Sequence, residues 1–303
     1  MNLASIVLFV YNRPWHTRQT VEALRENELA SESKLFIFSD GPKNKEAKEK
    51  VQEVRNYIRT IKGFKQVTII EREKNWGLAD NIIDGVTKVI NEYNRIIVLE
   101  DDIVTSPYFL IYMNKALEFY EKEKKVWHIS GWNYPIDPAG LPDTFLWRVM
   151  NCWGWATWAD RWKYFEKDTN KLTASFSEEA IFRFNVDGHE NFWSQVLQNV
   201  QGKINTWAIF WYATIFLNNG LCLNPSLSYT RNIGHDGSGV HCGKSGYPDN
   251  RKLNINDNPR FSSNITENKK TVEVIKKYLS QRKSIPKQIV NKVARLILKR
   301  NIF

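Results

Sequence analysis

What the chain is short of narrows its class first. Of 303 residues only three are cysteine, Cys152, Cys222 and Cys242, and no two of them form a CxxC pair. An odd number without paired spacing argues against a disulfide framework and fits a reducing compartment. No apolar run reaches membrane-spanning length, and no basic segment leads into an apolar one near Met1. The expectation is a cytoplasmic chain with neither signal peptide nor spanning helix. Glycine-rich phosphate loops are missing as well: neither GxGxxG nor GxxxxGK[ST] occurs. Their absence removes support for dinucleotide binding and for P-loop ATPase chemistry. Internal repeats and low-complexity segments are also lacking.

Most of the chain has no excess charge of one sign. The net charge is +10, but residues 266–303 hold eleven Lys or Arg against two Glu, which leaves residues 1–265 at only +1. Nucleic-acid binding needs basic residues interleaved with aromatics over the body, so no nucleic-acid partner is expected. Within the basic tail, helical spacing puts Ile289, Val290, Val293, Leu296 and Ile297 on one stripe. Lys287, Lys292, Arg295 and Lys299 fall outside it. Such a helix suits peripheral contact with an anionic membrane, and docking on the body or on a second copy is the alternative. The sequence leaves the oligomeric state open.

What is present is a regular alternation over the first 130 residues. Apolar strand runs are predicted at 5–11, 34–38, 66–71, 95–99 and 126–130. Helices are predicted between them at 16–27, 45–61, from 78 onward and at 108–123. This order means a mostly parallel sheet with helices on both faces, and ligands in such sheets bind beyond the carboxyl ends of the strands. After about residue 131 the pattern becomes irregular and rich in Trp, Gly and Asn. A helix is predicted at 204–219 and a short strand at 221–225. A polar glycine-rich loop follows at 232–241, and 266–303 forms a helical tail.

The strand Ile96-Ile97-Val98-Leu99 delivers Glu100-Asp101-Asp102 at its end. Three adjacent carboxylates repel one another, and a hard divalent cation such as Mn²⁺ or Mg²⁺ would relieve the repulsion. Asn12-Arg13 and Asp40-Gly41 end two other strands, so three polar clusters converge on one edge. That convergence, with an open parallel sheet, suggests a site for a nucleoside diphosphate whose phosphates the metal bridges.

Phe38-Ser39-Asp40-Gly41, Glu100 to Phe109 and Ile129-Ser130-Gly131-Trp132-Asn133 resemble a GT-A (Rossmann-like) glycosyltransferase. The particular resemblance is to the N-acetylglucosaminyltransferase I family and its bacterial relatives in surface polysaccharide synthesis. Cys152 to Trp158 and the loop from Asn232 to His241 extend the likeness to about residue 242. It implies a nucleotide-binding half over about 1–131, an acceptor lobe over about 132–265, and inverting transfer of sugar from a UDP-sugar to a glycan or lipid-linked acceptor. Asp102 would ligate the metal, with His241 as a second candidate ligand. Glu100 and Asp101 would hold the ribose and donor sugar, Asp40 the base, most naturally uracil, and Arg13 the nucleotide or its diphosphate. Tyr11, Asn12, Gly41, Asn75, Asp80, Trp155 and His235 complete the implied donor set, and the 232–241 loop would close over the diphosphate.

At one position the chain departs from the pattern. Relatives carry Asp after the Trp that opens the helix near 207, whereas this chain reads Thr206-Trp207-Ala208-Ile209. Inverting transfer needs a general base, and Glu190, Asp187 and Asp236 are the substitutes by position, Glu190 first. Two other readings stand beside the transferase: a sugar-phosphate nucleotidyltransferase, and a glycan-binding homologue with impaired catalysis. A zinc site of His235, His241 and Cys242 lacks the further cysteine pair that would complete a tetrahedral set. The four tryptophans between Trp153 and Trp162 divide between core packing and stacking on acceptor sugars.

Overall fold

The computed structural model describes residues 3–237 and 251–282. Strand β1 (Ser5–Val10) leads into helix α1 (Pro14–Arg25), β2 (Lys34–Ser39), α2 (Lys45–Ile58), β3 (Gln66–Glu71) and α3 (Leu78–Tyr93). Then come β4 (Arg95–Glu100), the short β5 (Ile103–Thr105), α4 (Phe109–Phe119) and β6 (Val126–Ser130). Beyond residue 131 lie β7 (Thr144–Trp147), β8 (Trp155–Trp158), and short helices α5 (Ala159–Trp162), α6 (Thr169–Ser175), α7 (Glu178–Phe184) and α8 (Trp193–Val200). Helix α9 (Ala208–Leu217), β9 (Leu221–Pro225) and β10 (Thr230–Asn232) follow, and a final helix, α10, runs through 269–282.

Eight strands form one sheet in the order β3-β2-β1-β4-β8-β6-β9-β7. From β3 to β4 all neighbours are parallel. β8 runs antiparallel to both β4 and β6, β9 runs parallel to β6, and β7 closes the far edge antiparallel to β9. The expected mostly parallel α/β sheet is therefore present. The stretch expected to be irregular also supplies three of its strands, so a single sheet crosses residue 131. A separate two-stranded ribbon pairs β10 with β5, Asn232 opposite Ile103.

Alternation along each strand builds a core on both faces, as a parallel sheet requires. Val7, Phe9, Phe38, Ile96 and Val98 face α3, α9 and α10, and with Trp155, Trp162 and Trp211 they make the larger apolar layer. Ile6, Leu8, Val10, Ile37, Ile97 and Leu99 face α1, α2 and α4. α10, the first part of the expected tail, is docked: Val272, Ile275 and Leu279 are buried. The predicted stripe at 285–300 lies outside the described residues, and no described helix is long and apolar enough to cross a membrane.

Helix limits differ from expectation for local reasons. α1 starts at Pro14, two residues earlier than predicted, because proline at the first helical position pre-sets the backbone. α9 starts at Ala208, not at 204. The preceding residues are held out of the helix by Asn199, which donates to Thr206 Oγ1 at 2.9 Å and accepts from Thr206 N at 3.1 Å.

Candidate functional site

The carboxyl ends of β1, β2 and β4 open onto one cleft of about 380 Å³. Tyr11, Asn12 and Arg13 line it from β1, Asp40 from β2, and Glu100, Asp101 and Asp102 from β4. Most of the residues expected at the site are thereby brought together. Arg13 stands just before α1, and its carbonyl accepts from Thr17 Oγ1 at 2.9 Å. One guanidinium nitrogen donates both to Asp101 and, at 2.8 Å, to Asp102 Oδ2. Thr20, one turn along α1, donates to the Asp101 carbonyl at 2.8 Å, pinning the helix to the acidic turn.

The electrostatics follow from three carboxylates sharing one cation. Burial, then Asp102 and Asp101, push Glu100 up to about 8, with Arg13 opposing. Burial also raises Asp101, to about 6, against the pull of Arg13. Burial alone would weaken the Arg13 guanidinium, but the two aspartates reverse this and hold it firmly charged. Asp102 is 4% exposed, and among the described residues its Oδ1 has no hydrogen-bond partner. A buried carboxylate oxygen left without a donor, beside two further carboxylates, suits a hard cation. Among the described residues, no three His, Cys, Asp or Glu side chains converge on one point, so side chains alone would not complete a coordination shell.

The ribbon brings the segment after β10 onto this turn. Ile233 N donates to the Asp102 carbonyl at 2.9 Å, and Asn232 Oδ1 accepts from Gly234 N at 2.7 Å. Only glycine fits at 234: a Cβ there would stand 2.1 Å from Asp102 Oδ2. His235 packs edge-on against Trp153, and among the described residues its two buried ring nitrogens have no partner. Asp236 Oδ2 lies 3.1 Å from His16 Nε2 on α1.

Asp40 lines the cleft at the end of β2, and its carboxylate organises the loop beside it. Its Oδ1 accepts from Gly41 N (2.9 Å) and Trp76 N (2.8 Å), and its Oδ2 from Gly77 N (2.9 Å) and Asn75 Nδ2 (3.0 Å). All four acceptor positions of the carboxylate are thus met inside the chain. Gly41 is present because the chain passes too close for a side chain: a Cβ would stand 2.4 Å from the carbonyl carbon of Lys74.

Several expected residues lie elsewhere. Trp155 is fully buried in β8 and stacked on Trp207 and His128, so it belongs to the core and not to the donor surface. Asp80 is exposed on α3, 3.8 Å from Lys167, and lines a separate shallow surface. Asp187 is tied to Arg148 at 2.7 Å and to Lys276 at 3.0 Å, which binds it into the α10 contact. Glu190, first among the proposed bases, stands in the turn after α7 with its N–H on the Asn185 carbonyl, away from the cleft lining. Asp236 stands two residues after Gly234, on the segment laid over Asp102, and like Glu190 is not itself part of the cleft lining. His241 lies outside the described residues.

Sequence reasoning missed Lys43, Gly77, Leu78, Asn81, Lys203, Ile204 and Asn205, all of which line the cleft. Gly77 and Leu78 lie two and three residues beyond Asn75, and that nearness was a usable signal. Lys203 to Asn205 arrive from the turn between α8 and α9, and no local pattern marks them.

A mostly parallel α/β sheet whose strand ends gather an acidic turn, a half-buried arginine and a cleft has the GT-A arrangement. The chain belongs to glycosyl transferase family 2, whose model matches residues 5–176. No curated protein matches it. Among solved structures it is similar to a mannosyltransferase from Pyrobaculum calidifontis, solved in complex with GDP-Man and Mn²⁺. That match has 9% identity and a TM-score of 0.43, over 72% of this chain and 70% of the other. It is also similar to S. aureus TarS, with 13% identity and a TM-score of 0.30, over 42% of this chain and only 21% of TarS.

Proposed function

We propose that this glycosyltransferase is metal-dependent and moves a sugar from a UDP-sugar, with UDP-N-acetylglucosamine the first candidate, to a hydroxyl of a bacterial surface glycan or lipid-linked oligosaccharide. The carrying observation is the unpartnered Asp102 Oδ1 beside Arg13 at the strand-end cleft. Asp102 would hold Mn²⁺ or Mg²⁺, with donor phosphates and water completing the shell, as is usual for these ions. The cation, when bound, neutralises charge on the leaving diphosphate. Arg13 holds the acidic turn in place and supplies positive charge beside it. The narrower resemblance to the N-acetylglucosaminyltransferase I family supports inversion at the anomeric carbon. A carboxylate takes the proton of the acceptor hydroxyl, the acceptor oxygen bonds to carbon, and the nucleoside diphosphate departs with the electrons of the broken bond. Asp236 is the strongest of the three base candidates by position. A peripheral membrane contact through the basic stripe at 285–300 would suit a lipid-linked acceptor.

Calorimetric titration of UDP, with and without Mn²⁺, into wild type and Asp102→Ala tests this reading. Metal-dependent binding in wild type and its loss in the variant are expected. Absence of binding in every condition would overturn the donor site.

A further inference from the structure

A second depression lies beyond the donor cleft, between α6 and α9. Helix α9 carries Phe210, Ala213, Thr214 and Leu217 at helical spacing, so the four share one face. With Leu172 of α6 and the segment before it, that face lines a pocket of about 260 Å³. Phe210 and Ala213 are buried and give an apolar floor, whereas Leu217 is 44% and Tyr164 is 52% exposed. Apolar surface left in water inside a depression marks a place for a ligand.

The polar groups of the lining are fixed but not saturated. Asp168 Oδ1 accepts from Asn170 N at 2.9 Å and from Lys171 N at 3.0 Å, and no described residue donates to its Oδ2. Asn218 Nδ2 donates to the Thr214 carbonyl at 2.8 Å, and no described residue donates to its Oδ1. Held acceptors beside an exposed aromatic ring and an apolar floor match a pyranose, which has C–H faces and hydroxyl edges. An anionic ligand does not fit: Glu166 and Asp168 outnumber Lys171, and Lys171 is already paired with Glu166 at 2.6 Å. The pocket also shares a wall with the donor cleft. Lys167 donates to Asn205 Oδ1, and Asn205 lines the cleft. The same Lys167 Nζ lies 5.9 Å from the centre of the Phe210 ring, which lines the pocket.

We propose that this pocket is a saccharide subsite, which holds uncharged sugars of the acceptor glycan remote from the hydroxyl that reacts. The inference rests on the glycan-acceptor reading given above. A sugar held there tethers the acceptor and raises the effective concentration of its reacting end at the cleft.

The test is calorimetry and saturation-transfer NMR on the full chain with cellotetraose, maltotetraose, chitotetraose and mannotetraose. At least one should bind wild type, and UDP with Mn²⁺ should not displace it. Leu217→Trp, which fills the pocket, and Tyr164→Ala, which removes the ring, should each weaken that binding by about tenfold or more. Both side chains are exposed, so urea midpoints should stay near that of wild type and separate loss of the subsite from loss of the fold. Tetragalacturonate, with a carboxylate on each ring, should bind more weakly than the neutral chain. The proposal is overturned if none of the neutral tetrasaccharides binds, if UDP displaces the bound one, if both variants bind like wild type, or if tetragalacturonate binds more tightly. Should UDP bind with Mn²⁺ while no tetrasaccharide does, this inference falls alone. Should a tetrasaccharide bind and be lost in both variants while UDP does not bind, the donor-site reading falls and the subsite stands.

Discussion

His128 has its tautomer fixed by two neighbours. Trp211 Nε1–H donates to its Nδ1 at 3.2 Å, so Nδ1 must be an acceptor, and Nε2 carries the hydrogen toward the Asn151 carbonyl at 3.0 Å. Burial, opposed by that carbonyl, lowers its pKa from 6.5 to about 3. The native state therefore refuses a proton that the unfolded chain accepts, so the contribution is whole above about pH 6.5 and is lost as pH falls toward 3. Acidification from pH 7 to pH 5 should remove about 2 kcal/mol through this residue. His128→Gln should be less stable than wild type at pH 7, with the gap between urea midpoints narrowing by pH 5. Legibility at this scale depended on whether a residue's role was local. Arg13, Asp40 and the triplet could be located because each follows an apolar strand run. Asp187 could not be judged, because its partners Arg148 and Lys276 are brought to it only by folding.

At the scale of elements, the β5–β10 ribbon decides whether the acidic turn is covered. It sets Ile233 and Gly234 over Asp102, with no room for a methyl group. Gly234→Ala should lower UDP affinity in the presence of Mn²⁺ by tenfold or more, because Asp102 or the loop must move; calorimetry measures the loss. The melting temperature should change little, since the strain lies at the end of a two-stranded ribbon and not in the main sheet. The ribbon was not foreseen: β5 is only three residues long and is masked by the carboxylates before it. β8 was hidden for a related reason, because Trp155-Ala156-Thr157-Trp158 is too short for alternation to stand out. The longer runs gave their limits away, and β3, β6 and β9 fall where the apolar pattern put them.

For the molecule as a whole, stability and chemistry lie at opposite places. Arg148, 11% exposed, joins Asp187 after α7 to Glu267 before α10, and Lys276 on α10 returns to Asp187. This network clamps α10 over the larger apolar layer and touches nothing in the cleft. Arg148→Met should cost about 1–3 kcal/mol in urea unfolding, since it takes from Glu267 its Arg148 partner and leaves Asp187 to Lys276. Metal-dependent UDP affinity should stay within about twofold, which separates a structural network from the site. The fold class could be read from the alternation of the first 130 residues. The continuation of the sheet through β8, β9 and β7 could not, because those strands find their neighbours across long stretches of chain.

That distance also sets an order of events. β1, β2 and β3 pair with close neighbours in sequence and can assemble as they leave the ribosome. Thr105 must wait for Thr230, about 125 residues further on, before the ribbon exists. A half-made chain can thus own its acidic turn without the cover that shapes it, until Thr230 and its neighbours have been synthesised.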